Sequence, residues 1–153
     1  MKVIIWTKPD GSVSFTYPLE ALQAGETEAQ YLDRIAAKVK ANGAVPADWI
    51  RMANMDTIDL PQDRQFRDAW AWSGLTMIHD IAKAKTIHQA RLDAKNDEKL
   101  RKLHLETVKA EGNPAKLAQA NADLQAARAG ANALQGQIQA SQTIAALKAI
   151  LPL

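Results

Sequence analysis

Three histidines, His79, His88 and His104, are the side chains of this chain suited to moving protons near neutral pH. None lies within four residues of another, so no turn of helix presents two imidazoles to one metal ion. His88 falls on the apolar stripe of a predicted helix, where a hydrogen-bonded structural histidine is expected. Asp56 and Asp59 have a spacing that two carboxylates use on a hard cation. No third ligand stands beside them, and solvated loop acids are the expectation. Ser12, Ser14, Ser73 and Ser141 sit in turn, strand or cap contexts, and no Gly-x-Ser-x-Gly turn surrounds any of them. There is no phosphate-binding loop and no Gly-x-Gly-x-x-Gly; Gly130 and Gly136 lie in an Ala/Gln-rich stretch instead. These readings predict a protein with no catalytic, cofactor-binding or metal-binding residues and no small-molecule substrate.

Charge points the same way. The 153 residues carry 19 basic and 17 acidic side chains, a net charge of +2. The basic residues between Lys83 and Lys109 are interleaved with Asp93, Asp97, Glu98 and Glu106. That pattern belongs to a solvated helix face with i,i+4 pairs, not to an unopposed basic stripe. Neither a nucleic-acid nor a membrane partner is expected. The opening MKVIIWTKPDG has a four-residue apolar run, too short for a signal peptide, and no segment reaches the ~20 apolar residues that span a bilayer. Cysteine is absent, which removes disulfides and fits a reducing compartment.

The elements that would position any site fall into two halves. Aromatic residues are concentrated before residue 73, so the large core belongs there. Lys2 to Thr7 and Ser12 to Tyr17 read as strands joined by Lys8-Pro9-Asp10-Gly11, with Val13, Phe15 and Tyr17 on one face. Thr27 and Gln30 form a capping box for a helix whose Tyr31, Leu32, Ile35 and Val39 repeat at helical spacing until Asn42-Gly43. Val45 to Pro61 reads as a connector anchored by Trp49. Phe66 to Trp72 reads as a strand with Phe66, Asp68, Trp70 and Trp72 on one face. This order predicts an α+β fold with a mixed head over residues 1–75.

Residues 76–153 read as a helical hairpin. Asp80 is placed to cap a helix running to about Glu111, with Ile81, Ala84, Ile87, His88, Leu92, Leu100, Leu103 and Val108 on its buried stripe. Such a helix would be roughly 45 Å long. Asn113-Pro114 opens a second helix to about Ala140, and Thr143 caps a short one over 144–151. In the second helix Leu117, Leu124, Ala131 and Ile138 recur every seven residues, as do Ala120, Ala127, Leu134 and Ser141. This is the spacing of a coiled-coil-like seam. Packing within the hairpin and packing between chains are both open to it. The outer face of this helix is Gln, Asn and Ala, and only Lys116, Asp123, Arg128 and Lys148 are charged beyond Asn113.

One segment carries a resemblance. Phe66, Arg67, Asp68, Ala69, Trp70, Gly74, Asp80, Lys83, Ala84, Ile87 and His88 match a pattern of small proteins encoded among the tail genes of tailed bacteriophages and prophages. Ile81 stands where that pattern usually has Met, and Lys85 where it has Arg. Gln142 to Pro152 is similar to the closing helix of the same family, so the resemblance covers about residues 61–153. It implies a non-enzymatic tail structural or adaptor protein at the baseplate, tail tip or fibre attachment. The localisation implied is the virion tail, after assembly in the host cytoplasm. Its partners would be other tail proteins, with a trimer or hexamer of this chain expected. The alternative is an assembly chaperone for the tail or its fibres that does not remain in the particle. The interaction residues expected are Trp70 and Trp72 on the head, and Leu117, Leu124, Ala131, Leu134 and Ile138 on the seam. Leu124→Asp with Ile138→Asp is expected to dissociate the oligomer and spare the head.

Overall fold

A computed structural model describes residues 2–61 and 64–151, apart from the side chain of Ile58. The described chain runs β1 (Lys2–Thr7), β2 (Val13–Thr16), α1 (Glu28–Ala41), β3 (Ile50–Asp56), β4 (Trp70–Trp72), β5 (Met77–His79), α2 (Ile81–Lys109), α3 (Pro114–Ala140) and α4 (Ile144–Ala149). Short 3-10 turns occupy Thr57–Asp59 and Arg67–Ala69. A small antiparallel β region is thus followed by long helices, an α+β chain. It divides into two compact units after Asp80, because the β4–β5 hairpin belongs with the strands before it.

In the N-terminal unit β1 lies between β2 and β3, antiparallel to both. Both of its faces are covered, which is why Val3, Ile4, Ile5 and Trp6 are a continuous apolar run with no alternation. Ile4 and Trp6 pack with Tyr31, Leu32, Ile35 and Ala36 of α1. Val3 and Ile5 face the other way, onto Leu60, Trp70 and Met77. Helix, sheet and hairpin therefore make three layers around one strand. Burying each of these aliphatic side chains contributes about 1.5–3 kcal/mol. The β1–β2 turn forms as its residues require: Gly11 takes φ +76°, and Asp10 Oδ1 accepts hydrogen bonds from both N–H and O–H of Ser12. The predicted capping box on α1 is present, with Thr27 and Gln30 bonded reciprocally.

Two readings of this unit need correction. The segment Val45 to Pro61 is not only a connector, since it contains the seven-residue β3, although Trp49 does pack against the α1 cluster. Phe66 to Trp72 is not one strand. Residues 67–69 form a 3-10 turn in which Ala69 N–H bonds the Phe66 carbonyl at 2.9 Å. Phe66 is buried and Asp68 exposed, so they share no strand face with Trp70 and Trp72. Only Trp70–Trp72 pairs, with Met77–His79, through a turn containing Gly74. The Asp80 N–H bonds the Ala69 carbonyl and closes that hairpin.

In the C-terminal unit α2 buries Ala84, His88, Leu92 and Asn96, one every fourth residue. Steps of four drift around a helix of 3.6 residues per turn, and the stripe recovers through Leu100, Leu103 and Thr107, all half-buried. Val108 therefore lies off the stripe and is exposed, against expectation. Gly112, at φ +90°, lets the chain reverse, and Asn113 Oδ1 accepts from Lys116 N–H to open α3 with Pro114 at its first position. α2 and α3 pack against each other. Thr143 caps α4, which ends at Ala149 and packs on α2.

Candidate interaction surfaces

The tryptophans are built into the N-terminal core. Trp70 is buried, its indole N–H donates to His79 Nε2 at 3.0 Å, and Phe15 meets its ring edge-on at 5.7 Å between centroids. Trp6 is buried as well and donates to Thr16 Oγ1. Trp72 and Trp49 are half-buried at the margins of the two apolar clusters. Of the expected pair, Trp70 offers a partner no ring face, while Trp72 keeps part of its surface. The exposed large hydrophobic side chains of this unit are elsewhere, at Tyr17, Leu19, Leu22, Ile50, Met52, Leu75 and Ile78.

Leu19 and Leu22 sit on a segment pinned by ion pairs. Arg34 binds Glu26 and Glu20, each at 2.8 Å, and donates to the Ala21 carbonyl. Lys38 also pairs with Glu20. The Lys38 and Arg34 hydrogen bonds hold the Glu20 carboxyl below its ordinary pKa, and Arg34 does the same for Glu26. The same contacts raise the Arg34 pKa. No run of hydrophobic periodicity marks this segment, so the exposed leucines were invisible to pattern reading.

The heptad positions of α3 divide cleanly. Leu124, Ala127, Ile138 and Ser141 are buried, and Leu117, Ala120, Ala131 and Leu134 are half-buried. Half of the stripe is therefore buried within a single chain, and the other half keeps part of its surface. The opposite face, with Ala115, Ala118, Ala122, Gln125, Ala129 and Ala133, is exposed and uncharged, while the exposed charges Lys116, Asp123 and Arg128 lie off it.

Several of the groups suited to proton transfer or nucleophilic chemistry are engaged locally. His88 is buried, and its Nε2 lies 3.0 Å from the Ile150 carbonyl oxygen, to which it donates. The expected structural histidine is found there. His104 is exposed. Ser73 and Ser141 bond the Thr76 and Gln137 carbonyls, and Ser12 bonds Asp10. Among the described residues no three His, Asp or Glu converge on a metal position; Asp56 is half-buried and Asp59 exposed. An open trough of about 760 Å³ lies between the start of α2 and the end of α3. Its polar groups satisfy one another in part: Lys85 donates to the Gln139 carbonyl, and Gln89 to Asp93. No helix among the described residues is long and apolar enough to cross a membrane. No family model, curated protein sequence or solved structure matches the chain.

Proposed function

We propose that this chain is a non-enzymatic structural or adaptor protein of a phage tail, working through contacts with other tail proteins at the baseplate, tail tip or fibre attachment. The resemblance of Phe66–His88 supplies the tail context. The observation that carries an interaction role is the side of the 27-residue α3 opposite its buried stripe, where the exposed residues are Ala, Gln, Asn and Gly, and the exposed charges Lys116, Asp123 and Arg128 lie off that side. A helix made only to meet water resembles α2, whose exposed side carries Arg91, Lys95, Asp97, Glu98, Lys99 and Arg101. Alanine, glycine and glutamine can be covered by another protein without desolvating an ion.

Quantitative mass spectrometry on purified particles of a phage encoding this chain tests the proposal. Three or six copies per tail are expected for a structural part that follows tail symmetry. Absence from the particle, with abundance in the infected lysate, would overturn the structural role in favour of the assembly chaperone.

A further inference from the structure

At the tip of the α2–α3 hairpin, two adjoining open cavities of about 440 and 330 Å³ share Leu103 and Asp123 and so form one trough. Its floor is apolar, with Ala120 and Ala127 beside Leu103. Lys116 and Asp123 stand on its α3 wall, both exposed. Among the described residues neither is in an ion pair; Asp123 accepts only the Gln119 amide, at 2.9 Å.

The placement of these two charges says what fits the trough. Lys116 and Asp123 are seven residues apart, so they point the same way from α3, about 10 Å apart along its axis. Opposite charges on one stripe are self-complementary when a second, identical helix runs antiparallel. A two-fold axis midway between them sets each Lys116 against the Asp123 of the other copy and forms two ion pairs. Gln119 and Ala120 then lie at the centre, small enough for the helices to approach closely. We infer that the tip trough is a two-fold contact between copies of this chain, closed by reciprocal Lys116–Asp123 pairs. On the α2 side Lys109 pairs with Glu106 at 2.8 Å, and Lys99 is the further charge of the lining. A small ligand would find no buried polar group aimed into the trough. The inference goes beyond the tail reading and does not depend on it. A two-fold contact combines with a three-fold one to give a hexamer, but cannot by itself close a trimer.

Sedimentation equilibrium of the full chain, at low and high salt, provides the test. The wild-type chain is expected to dimerise, and salt to weaken the dimer. Asp123→Lys alone and Lys116→Glu alone should each weaken association about tenfold or more, because like charges then face each other twice. Mixed in equal amounts, the two variants should pair with each other, each carrying the sign that the other lacks at both positions. Circular dichroism should show unchanged helix content, since both positions are exposed. A wild-type chain that stays monomeric overturns the inference. So do single variants that self-associate like wild type, or a mixture that fails to restore pairing.

Discussion

The N-terminal unit and the helical hairpin bury side chains of different kinds. Around β1 the buried residues are large and apolar, with Trp6, Ile4 and Ile5 essentially without exposure and Trp70 close behind. Along the hairpin the buried set includes Ala84, Ala127, His88, Asn96 and Ser141, with leucines few and spaced. Area removed from water scales with side-chain size, so a residue ordered in the hairpin is repaid by less burial than one in the head. The head can hold its fold by its own packing. The hairpin is long, thinly cored and uncharged along one face of α3.

Deep truncation in the head should have the largest effect. Trp6→Ala is expected to cost about 3–5 kcal/mol, read as a shift of the urea midpoint of the N-terminal unit by tryptophan fluorescence. If helix content were lost in the same transition, the two units would not be separable in stability, and the comparison would fail. Leu124→Ala should cost less, about 2 kcal/mol, because its alanine neighbours leave little packing to lose. A cost equal to that of Trp6→Ala would mean that the hairpin core is tighter than its side chains suggest. The same burial revises the expectation for Leu124→Asp with Ile138→Asp. Both side chains are buried within one chain, so these carboxylates should unfold the hairpin and not merely separate copies.

Smaller effects sharpen the contrast. Thr27→Ala removes one half of a formed capping box and should cost about 1 kcal/mol, measured in the head. Gly136→Ala should stabilise the hairpin by up to about 1 kcal/mol, since an added Cβ meets nothing within 4 Å. Thermal melting checks it, and destabilisation of the isolated chain would show that the backbone there is not free. The weakest effect is on pH. Glu20 and Glu26 have lowered pKa values in the folded head, so their contribution is present above the ordinary carboxylate range. It is lost as pH falls through the depressed values. The protection of the Gln23 and Glu26 amides, taken relative to the intrinsic exchange rate at each pH, should therefore fall in acid, and Arg34→Met should already show the low protection at neutral pH. Equal rates in the variant and wild type would remove Arg34 from that role.

Reading these elements from sequence succeeded where side-chain chemistry is local. Thr27 with Gln30, Asn113 with Pro114, and Thr143 each mark a helix start because the cap is made within three residues. β3 escaped because its pattern runs backwards: Ile50 and Met52 face water while Arg51 and Ala53 are half-buried. An edge strand with one neighbour gains little from alternation, and a register shift opposite Ile5 and Trp6 breaks the period. β4 and β5 are three residues each, too short for a period of two to stand out. For the interaction residues, the heptad showed which stripe of α3 is buried but not what buries it. Lys116 and Asp123 both lie on α3, but the trough they line forms only when α2 and α3 come together.

The place of β1 in the sheet has a consequence for synthesis. It is the strand most deeply covered, yet it is made before every element that covers it: β2, α1, β3 and the β4–β5 hairpin. At roughly 5–20 residues per second on the ribosome, Val3 to Trp6 wait several seconds for β3 and longer for Trp70. Until then the most aggregation-prone segment of the chain is available to any passing strand, and its nearest defence is β2, which follows after one tight turn. Changes to Pro9 or Gly11 should therefore show first as insoluble protein during expression, before they appear as lowered stability of whatever chain does fold.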